Sequence, residues 1–170
     1  SNRRLEKADK ETNARDLIKF TQVLTPLDIV SFMVQYNLDA LLANSDAKAL
    51  ETLKILDPAC GTGNFLFAAQ EYLLPHYLKR GESKQEAFAK IWRNNLWGIE
   101  IDSSALACLG LLRAFSAILH GLTAQKLEAN LLCLEEKTIV NGQKGLLGSL
   151  DKNDKRLTPF HYCDLVLANP

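Results

Sequence analysis

Lys54-Ile55-Leu56-Asp57-Pro58-Ala59-Cys60-Gly61-Thr62-Gly63-Asn64-Phe65 reads as a short buried strand, a glycine turn and the start of a helix. Gly61 and Gly63 let the backbone bend sharply and approach a ligand with no Cβ in the way. The helix that opens near Asn64 carries Phe65, Ala68, Ala69, Tyr72 and Leu73 at helical spacing, and Pro75 is expected to stop or kink it. Its first turn offers free N–H groups and a positive dipole end, which suit an anion. Asp57, just before the turn, is placed to accept from a cationic amine.

Outward from this turn, Ser83-Lys84-Gln85-Glu86 is a capping box opening a helix whose apolar face is Ala87, Phe88, Ile91 and Trp92, broken by Asn94-Asn95. Leu96-Trp97-Gly98-Ile99-Glu100-Ile101 is a second strand. Asp102 or Ser103 caps a third helix to His120, apolar nearly all round and so expected to be covered on more than one side. Leu131–Leu134 or Thr138–Val140 supplies a further strand, and Asp164–Ala168 a last one with Asn169 at its carboxyl end. Upstream, Thr25 reads as the N-cap and Pro26 as the first residue of a helix to about Leu42, with Ile29, Phe32, Met33 and Tyr36 on one face. Strands alternating with helices mean βαβ units and a parallel sheet.

In such sheets ligands bind beyond the carboxyl ends of the strands. Three features fall there: the glycine turn, Glu100 and Asn169. An anion beside an amine describes the amino-acid end of S-adenosylmethionine. A dinucleotide would prefer a third glycine where Leu66 stands. A lone G-x-G also fits a plain strand-to-helix connection. A carboxylate at Glu100, 43 positions beyond Asp57, suits two ribose hydroxyls, or else it is a solvated acid near a helix start.

The 170 residues suffice for one domain with a core. A hydrophobic fraction of 47% excludes a disordered chain, and no apolar run approaches a membrane span. Lys+Arg and Asp+Glu are 20 each, so any grip on nucleic acid rests on a local patch or another domain. Cys60, Cys108, Cys133 and Cys163 are scattered without metal-ligand spacing, and the same holds for His76, His120 and His161. No metal site is expected, and a reducing cytoplasm is. Residues 1–19 read as a charged arm or helix ahead of a domain over 20–170. The opening Ser1-Asn2-Arg3 and the stop at Asn169-Pro170 raise the expectation of a segment of a longer protein.

The stretch Asp57–Leu66 resembles the first cofactor motif of the amino-group DNA methyltransferases, especially the adenine-N6 class of restriction-modification enzymes. Thr25-Pro26 with Ile29-Val30 and Phe32-Met33-Val34 resembles the motif N-terminal to it. Gly98–Asp102 resembles the acidic second motif, and Asp164–Pro170 the start of the catalytic Asn-Pro-Pro-aromatic motif. The four stand in family order over nearly the whole chain.

The resemblance implies a Rossmann-like class I S-adenosylmethionine-dependent methyltransferase fold, its parallel sheet truncated and preceded by a helical segment. It implies S-adenosylmethionine as cofactor, held by Thr25, Asp57, Ala59, Cys60, Gly61, Gly63, Asn64, Phe65, Glu100 and Ile101. It implies Asn169 and Pro170 as the catalytic pair acting on adenine in DNA, with Cys60 no nucleophile. The residue that reads the cofactor adenine falls near Gly148, where the family usually has a polar residue. DNA is expected as partner mainly through regions outside these residues, the segment alone is expected to be inactive, and the edge strand Asp164–Ala168 is expected to self-associate. The rival readings are a methyltransferase for RNA or protein glutamine, which share the Asn-Pro-Pro-aromatic signature, and a cofactor-binding module without activity.

Overall fold

The computed structural model describes residues 25–43, 47–122, 129–134 and 162–169. Its elements are α1 (Leu27–Leu42), α2 (Ala47–Thr52), β1 (Ile55–Asp57), α3 (Asn64–Leu78), α4 (Lys84–Lys90), a π-helical turn (Ile91–Asn95), β2 (Leu96–Glu100), α5 (Ser103–Leu119), β3 (Asn130–Cys133) and β4 (Leu165–Val166). The four strands form one sheet in the order β3-β2-β1-β4. All its pairs are parallel, with Asp57 opposite Gly98 and Leu56 opposite Val166. Thr138–Val140 and Gly148 lie outside the described residues, and Asn130–Cys133 supplies the strand next to β2.

Residues alternate between the two faces of each strand. Ile55, Leu96, Leu131 and Leu165 turn to the main core, shared with Val30, Val34 and Leu38 of α1, Leu66, Ala69 and Leu73 of α3, and Phe88 of α4. Leu56, Ile99 and Leu134 form a second cluster with Trp97, Leu132 and Cys163.

Ser83 and Glu86 close the expected capping box: the Ser83 hydroxyl accepts from the Glu86 N–H at 3.2 Å, and the Glu86 carboxylate accepts from the Ser83 N–H at 3.1 Å. Ala87, Phe88, Ile91 and Trp92 are buried, as their spacing predicts. Four expectations are corrected. Helix α3 runs through Pro75 to Leu78. Pro75 sits on the solvent side one turn from the end, so it removes a single N–H donor where the helix is already finishing.

On α1, Pro26 rather than Thr25 takes the cap position: its ψ is 139°, its carbonyl accepts from the Val30 N–H at 3.0 Å, and no side chain caps the helix. The buried face is Val30, Val34 and Leu38, while Ile29, Phe32 and Tyr36 are exposed. This helix has apolar residues on two sides, and docking against α3 selects the side with the smaller valines. Helix α5 is capped by Asp102, which accepts from the Ser104 N–H at 2.8 Å. Within it only Leu109 and Ala117 are buried, and Leu111, Leu112, Phe115, Ile118 and Leu119 stay exposed. Among the described residues it docks on β2 and β3 and, through Leu109, Arg113 and Ser116, on α3 and Trp92, and the rest of its apolar surface stays uncovered.

The π-helical turn seats Asn95, which is fully buried, between two segments. Its Nδ2 donates to the carbonyls of Leu50 (2.8 Å) and Leu53 (2.7 Å), and its Oδ1 accepts from the Tyr77 hydroxyl at 2.8 Å. This amide links the end of α2 and the loop into β1 with α3, just ahead of β2. Asn95→Ala removes all three bonds at a site without solvent, where each unpaired polar group costs about 1–3 kcal/mol. The expected loss of stability is about 3–5 kcal/mol, read as a lower urea midpoint at unchanged slope. A loss below about 1 kcal/mol would show that the amide is not what joins these segments.

Candidate functional site

The site grows from the point where β1 and β2 end side by side. Gly61 (φ +52°) and Gly63 (φ +95°) both lie in the left-handed region and fold the chain back after β1. The Cys60 N–H donates to the Ile99 carbonyl at 3.0 Å, and the Gly63 N–H to the Cys60 carbonyl at 2.7 Å. The turn therefore rests on β2. Gly98 makes room for it: a Cβ there would stand 2.8 Å from Leu131, 3.0 Å from Cys60 Sγ and 3.1 Å from Leu66.

Glu100 ties the two strand ends together. Its Oε2 accepts from the Gly61 N–H at 2.7 Å, and its Oε1 from the N–H groups of Ile101 (2.7 Å) and Asp102 (2.9 Å). The bond to Gly61 spans 39 residues of sequence. Glycine turn and carboxylate thus share one end of the sheet.

Asp57 is 2% exposed and accepts from the Ala59 N–H at 3.1 Å. Burial pushes its carboxyl up from the ordinary range to about 7, against the lowering by the Ala59 N–H, and the nearby Glu100 charge adds to the rise. The folded chain therefore holds a proton that the unfolded chain has already lost above the usual carboxylate pKa. The associated stabilisation is complete at low pH and is lost as pH rises through about 7. Between these limits Asp57 contributes a slope of about −1.4 kcal/mol per pH unit to unfolding stability. Asp57→Asn is expected to flatten the pH profile of urea unfolding from pH 5 to 7. Parallel profiles for the two proteins would remove Asp57 as the source.

Cys60 is buried, and burial together with the Asp57 and Glu100 charges raises its thiol, so it stays protonated. The side chains of Cys60 and Phe65 belong to the main core, and both residues meet the site through backbone. Asn64 starts α3, Ala59 is half-buried in the turn, and Ile101 is exposed just past β2.

Beyond β4 the Leu167 N–H donates to the Leu56 carbonyl at 2.9 Å, which carries the chain alongside β1 to Asn169. There Asn169 Nδ2 donates to Thr25 Oγ1 at 2.8 Å. The sequence reading assigns both residues to the site and misses their contact, since 144 positions separate them and no local pattern joins them. Pro170 lies outside the described residues. Among the described residues no group of three or more His, Cys, Asp or Glu is placed to hold a metal. Among them, too, no helix is long and apolar enough to cross a membrane.

A parallel sheet in this order, with a glycine turn after β1 and a carboxylate closing β2, defines a Rossmann-like fold, and the relatives of the chain place it in the methyltransferase class. The family model for the MmeI DNA-methyltransferase domain matches residues 35–143, and the chain belongs to that family. Among its relatives is the Methanocaldococcus jannaschii protein RM.MjaORFECS2P, whose name describes a type II restriction enzyme and methyltransferase. It is 33% identical over 69% of this chain and 10% of the relative. The adenine-specific methyltransferase PglX of Lacticaseibacillus casei is 36% identical over 44% of this chain and 6% of the relative. The adenine-specific methyltransferase BrxX of Escherichia coli is 38% identical over 35% of this chain and 5% of the relative. The chain thus spans a tenth or less of the length of these relatives.

Two solved structures share its fold. The ATP-dependent Type ISP restriction-modification enzyme LlaBIII bound to DNA has a TM-score of 0.58 at 18% identity, over 87% of this chain and 10% of that one. A nuclease-deletion mutant of the Type ISP enzyme LlaGI, in complex with a DNA substrate mimic, has a TM-score of 0.56 at 17% identity, over 94% of this chain and 14% of that one.

Proposed function

We propose that this chain carries the S-adenosylmethionine site of an enzyme that methylates the N6 amino group of adenine in DNA, as part of a restriction-modification system. The observation that carries the reading is the convergence of the glycine turn, Glu100 and Asn169 at the carboxyl ends of three strands that neighbour one another in the sheet. The adenine-specific names of two relatives and the restriction-modification context of the third support it.

The residues fit the cofactor. An ammonium group beside Asp57 would favour its ionised form and offset the burial that raises its pKa, and the carboxylate at Glu100 suits ribose hydroxyls. Gly61 has open space on the side where a Cβ would stand. The backbone of Ala59, Cys60, Gly61, Gly63, Asn64 and Phe65 lines the turn, Ile101 offers an exposed apolar surface beside Glu100, and Thr25 borders the Asn169 end. When bound, the cofactor supplies an electrophilic methyl group on positively charged sulfur.

The chain's own part is to prepare the nucleophile. The exocyclic nitrogen of adenine is weak because its lone pair is delocalised into the ring. Asn169 Oδ1 and the Pro170 carbonyl accept its two N–H bonds, draw it toward a tetrahedral state and aim its lone pair. The base reaches them only after leaving the duplex. Cys60 takes no covalent part. The balanced charge of the chain assigns most of the DNA grip to regions beyond these residues, and the 170 residues alone are not expected to turn over. Strand β4 ends the described sheet with Val166 exposed, an edge open to pairing with a second copy, which sedimentation would detect.

The full-length protein, given S-adenosylmethionine labelled on its methyl group with DNA, RNA and protein in separate reactions, tests the reading. Label recovered as N6-methyladenine in DNA supports it. Label confined to RNA or protein overturns it in favour of a relative with the same asparagine chemistry.

A further inference from the structure

Two carboxyl groups meet at the carboxyl end of the sheet, and the backbone serves them unequally. Glu100 accepts from three N–H groups, those of Gly61 (2.7 Å), Ile101 (2.7 Å) and Asp102 (2.9 Å). Asp57 is more deeply buried, at 2% exposure against 8%, and among the described residues it accepts from the Ala59 N–H alone, at 3.1 Å. The ion pairs of the described residues join Arg80 and Lys90 to Glu51 and Glu82, so none of them places a cation beside either carboxyl.

The elements around Asp57 bring it no positive charge either. Its titratable neighbours are Glu100 on β2 and the Cys60 thiol in the turn. Residues 64–70 at the start of α3 and residues 165–169 on the β4 side carry no charged side chain. On α5, Asp102 is a further acid at the cap, and the Arg113 guanidinium lies over Trp92. Neighbouring carboxyl groups without a cation resist ionising together, and the proton stays on the more buried one with fewer donors. That one is Asp57, and burial, with the Glu100 charge adding to it, raises its carboxyl to about 7. An ammonium group seated against it reverses the balance, because an opposite charge in contact favours the carboxylate.

We propose that Asp57 exchanges its proton for the ammonium group of the ligand: the free protein holds Asp57 as a neutral acid below neutral pH, and seating the amino-acid end of the cofactor sends that proton to solvent and leaves a carboxylate–ammonium pair. The balance is one proton released per ligand bound, since the ligand nitrogen is already protonated when it arrives below pH 7. The site thereby selects nucleosides that carry an ammonium group, and selects them more strongly as pH rises toward neutrality. The proposal rests on the reading of the cofactor site given above and adds to it the protonation state that meets the ligand.

The test is calorimetric titration of the full-length protein with S-adenosylhomocysteine, which is unreactive and keeps the amino-acid end. Repeating it in buffers of different ionisation enthalpy counts the protons released. At pH 6 close to one proton should leave per ligand bound. The dissociation constant should fall by up to about tenfold per pH unit from pH 5 to 7 and level off above. Methylthioadenosine, the nucleoside without the amino-acid end, should bind with no proton release and with a constant that does not change over the same range. Asp57→Asn should bind S-adenosylhomocysteine with no release and a flat pH profile. Release below about a third of a proton, equal release with methylthioadenosine, or undiminished release in Asp57→Asn overturns the proposal and leaves the cofactor reading standing. Should Asp57→Asn not fold, the two ligands on the unmodified protein decide. Should S-adenosylhomocysteine not bind at any pH from 5 to 8, the cofactor reading itself fails and the proposal falls with it.

Discussion

Asn169→Ala in the full-length protein is expected to lower the single-turnover rate of adenine methylation by roughly 10²–10³-fold, the effect of removing one preorganised polar group aimed at the reacting atom. The fold should hardly notice. Asn169 is exposed, so its truncation leaves no cavity, and the strand before it keeps its own anchors. These are the Leu167 N–H on the Leu56 carbonyl at 2.9 Å and the Asp164 carboxylate on the Lys54 N–H at 2.8 Å. Cofactor affinity is expected to change less than about threefold, because the groups proposed to hold it, Thr25 apart, sit at the ends of β1 and β2 and in the turn between β1 and α3. Rapid-quench assays with a labelled methyl donor, beside equilibrium cofactor binding, make the measurement. A rate within about tenfold of the unmodified protein would remove Asn169 from the chemistry.

Gly63→Ala should be far more damaging to the fold than Gly61→Ala, although both glycines are left-handed and two residues apart. At Gly63 the backbone has φ +95°, and an added Cβ would stand 2.0 Å from Leu109 Cδ1 and 3.2 Å from the Phe67 ring. Leu109 is fully buried on α5, so its side chain has little room to turn aside. Backbone strain of about 1–2 kcal/mol then adds to an overpacking cost of about 1–3 kcal/mol, for a loss of about 2–5 kcal/mol. At Gly61 φ is +52° and nothing lies within 4 Å of the added carbon, so only the strain remains, about 1–2 kcal/mol. Urea unfolding of the two variants separates these cases. Equal losses would mean that contact between the turn and α5 does not hold the turn in shape.

The same two glycines mark how far the residues could be read without coordinates. Their presence in a strand-turn-helix pattern identified the turn. Nothing in the pattern told that one of them faces α5 and the other faces open space. The capping box at Ser83 was readable because both partners lie within one helical turn. So was Glu100, since a carboxylate closing the second strand follows from strand order. The buried stripe of α1 was not readable, because apolar residues line two sides of that helix and only the partner surface chooses between them. Asn95 gave no signal either: next to Asn94 it looked like a helix breaker, and its value lies in three partners drawn from α2, α3 and the loop into β1.

The residues alone sufficed for the alternation of strands and helices, the helix starts, the glycine turn and the family resemblance, because each depends on neighbours a few positions apart along the chain. The folded chain alone decided which face of α1 is covered, how much of α5 stays bare, why Asp57 keeps its proton near neutrality and that the Thr25 hydroxyl meets Asn169. These depend on desolvation and on contacts between segments up to 144 residues apart, quantities that exist only once the surfaces have docked.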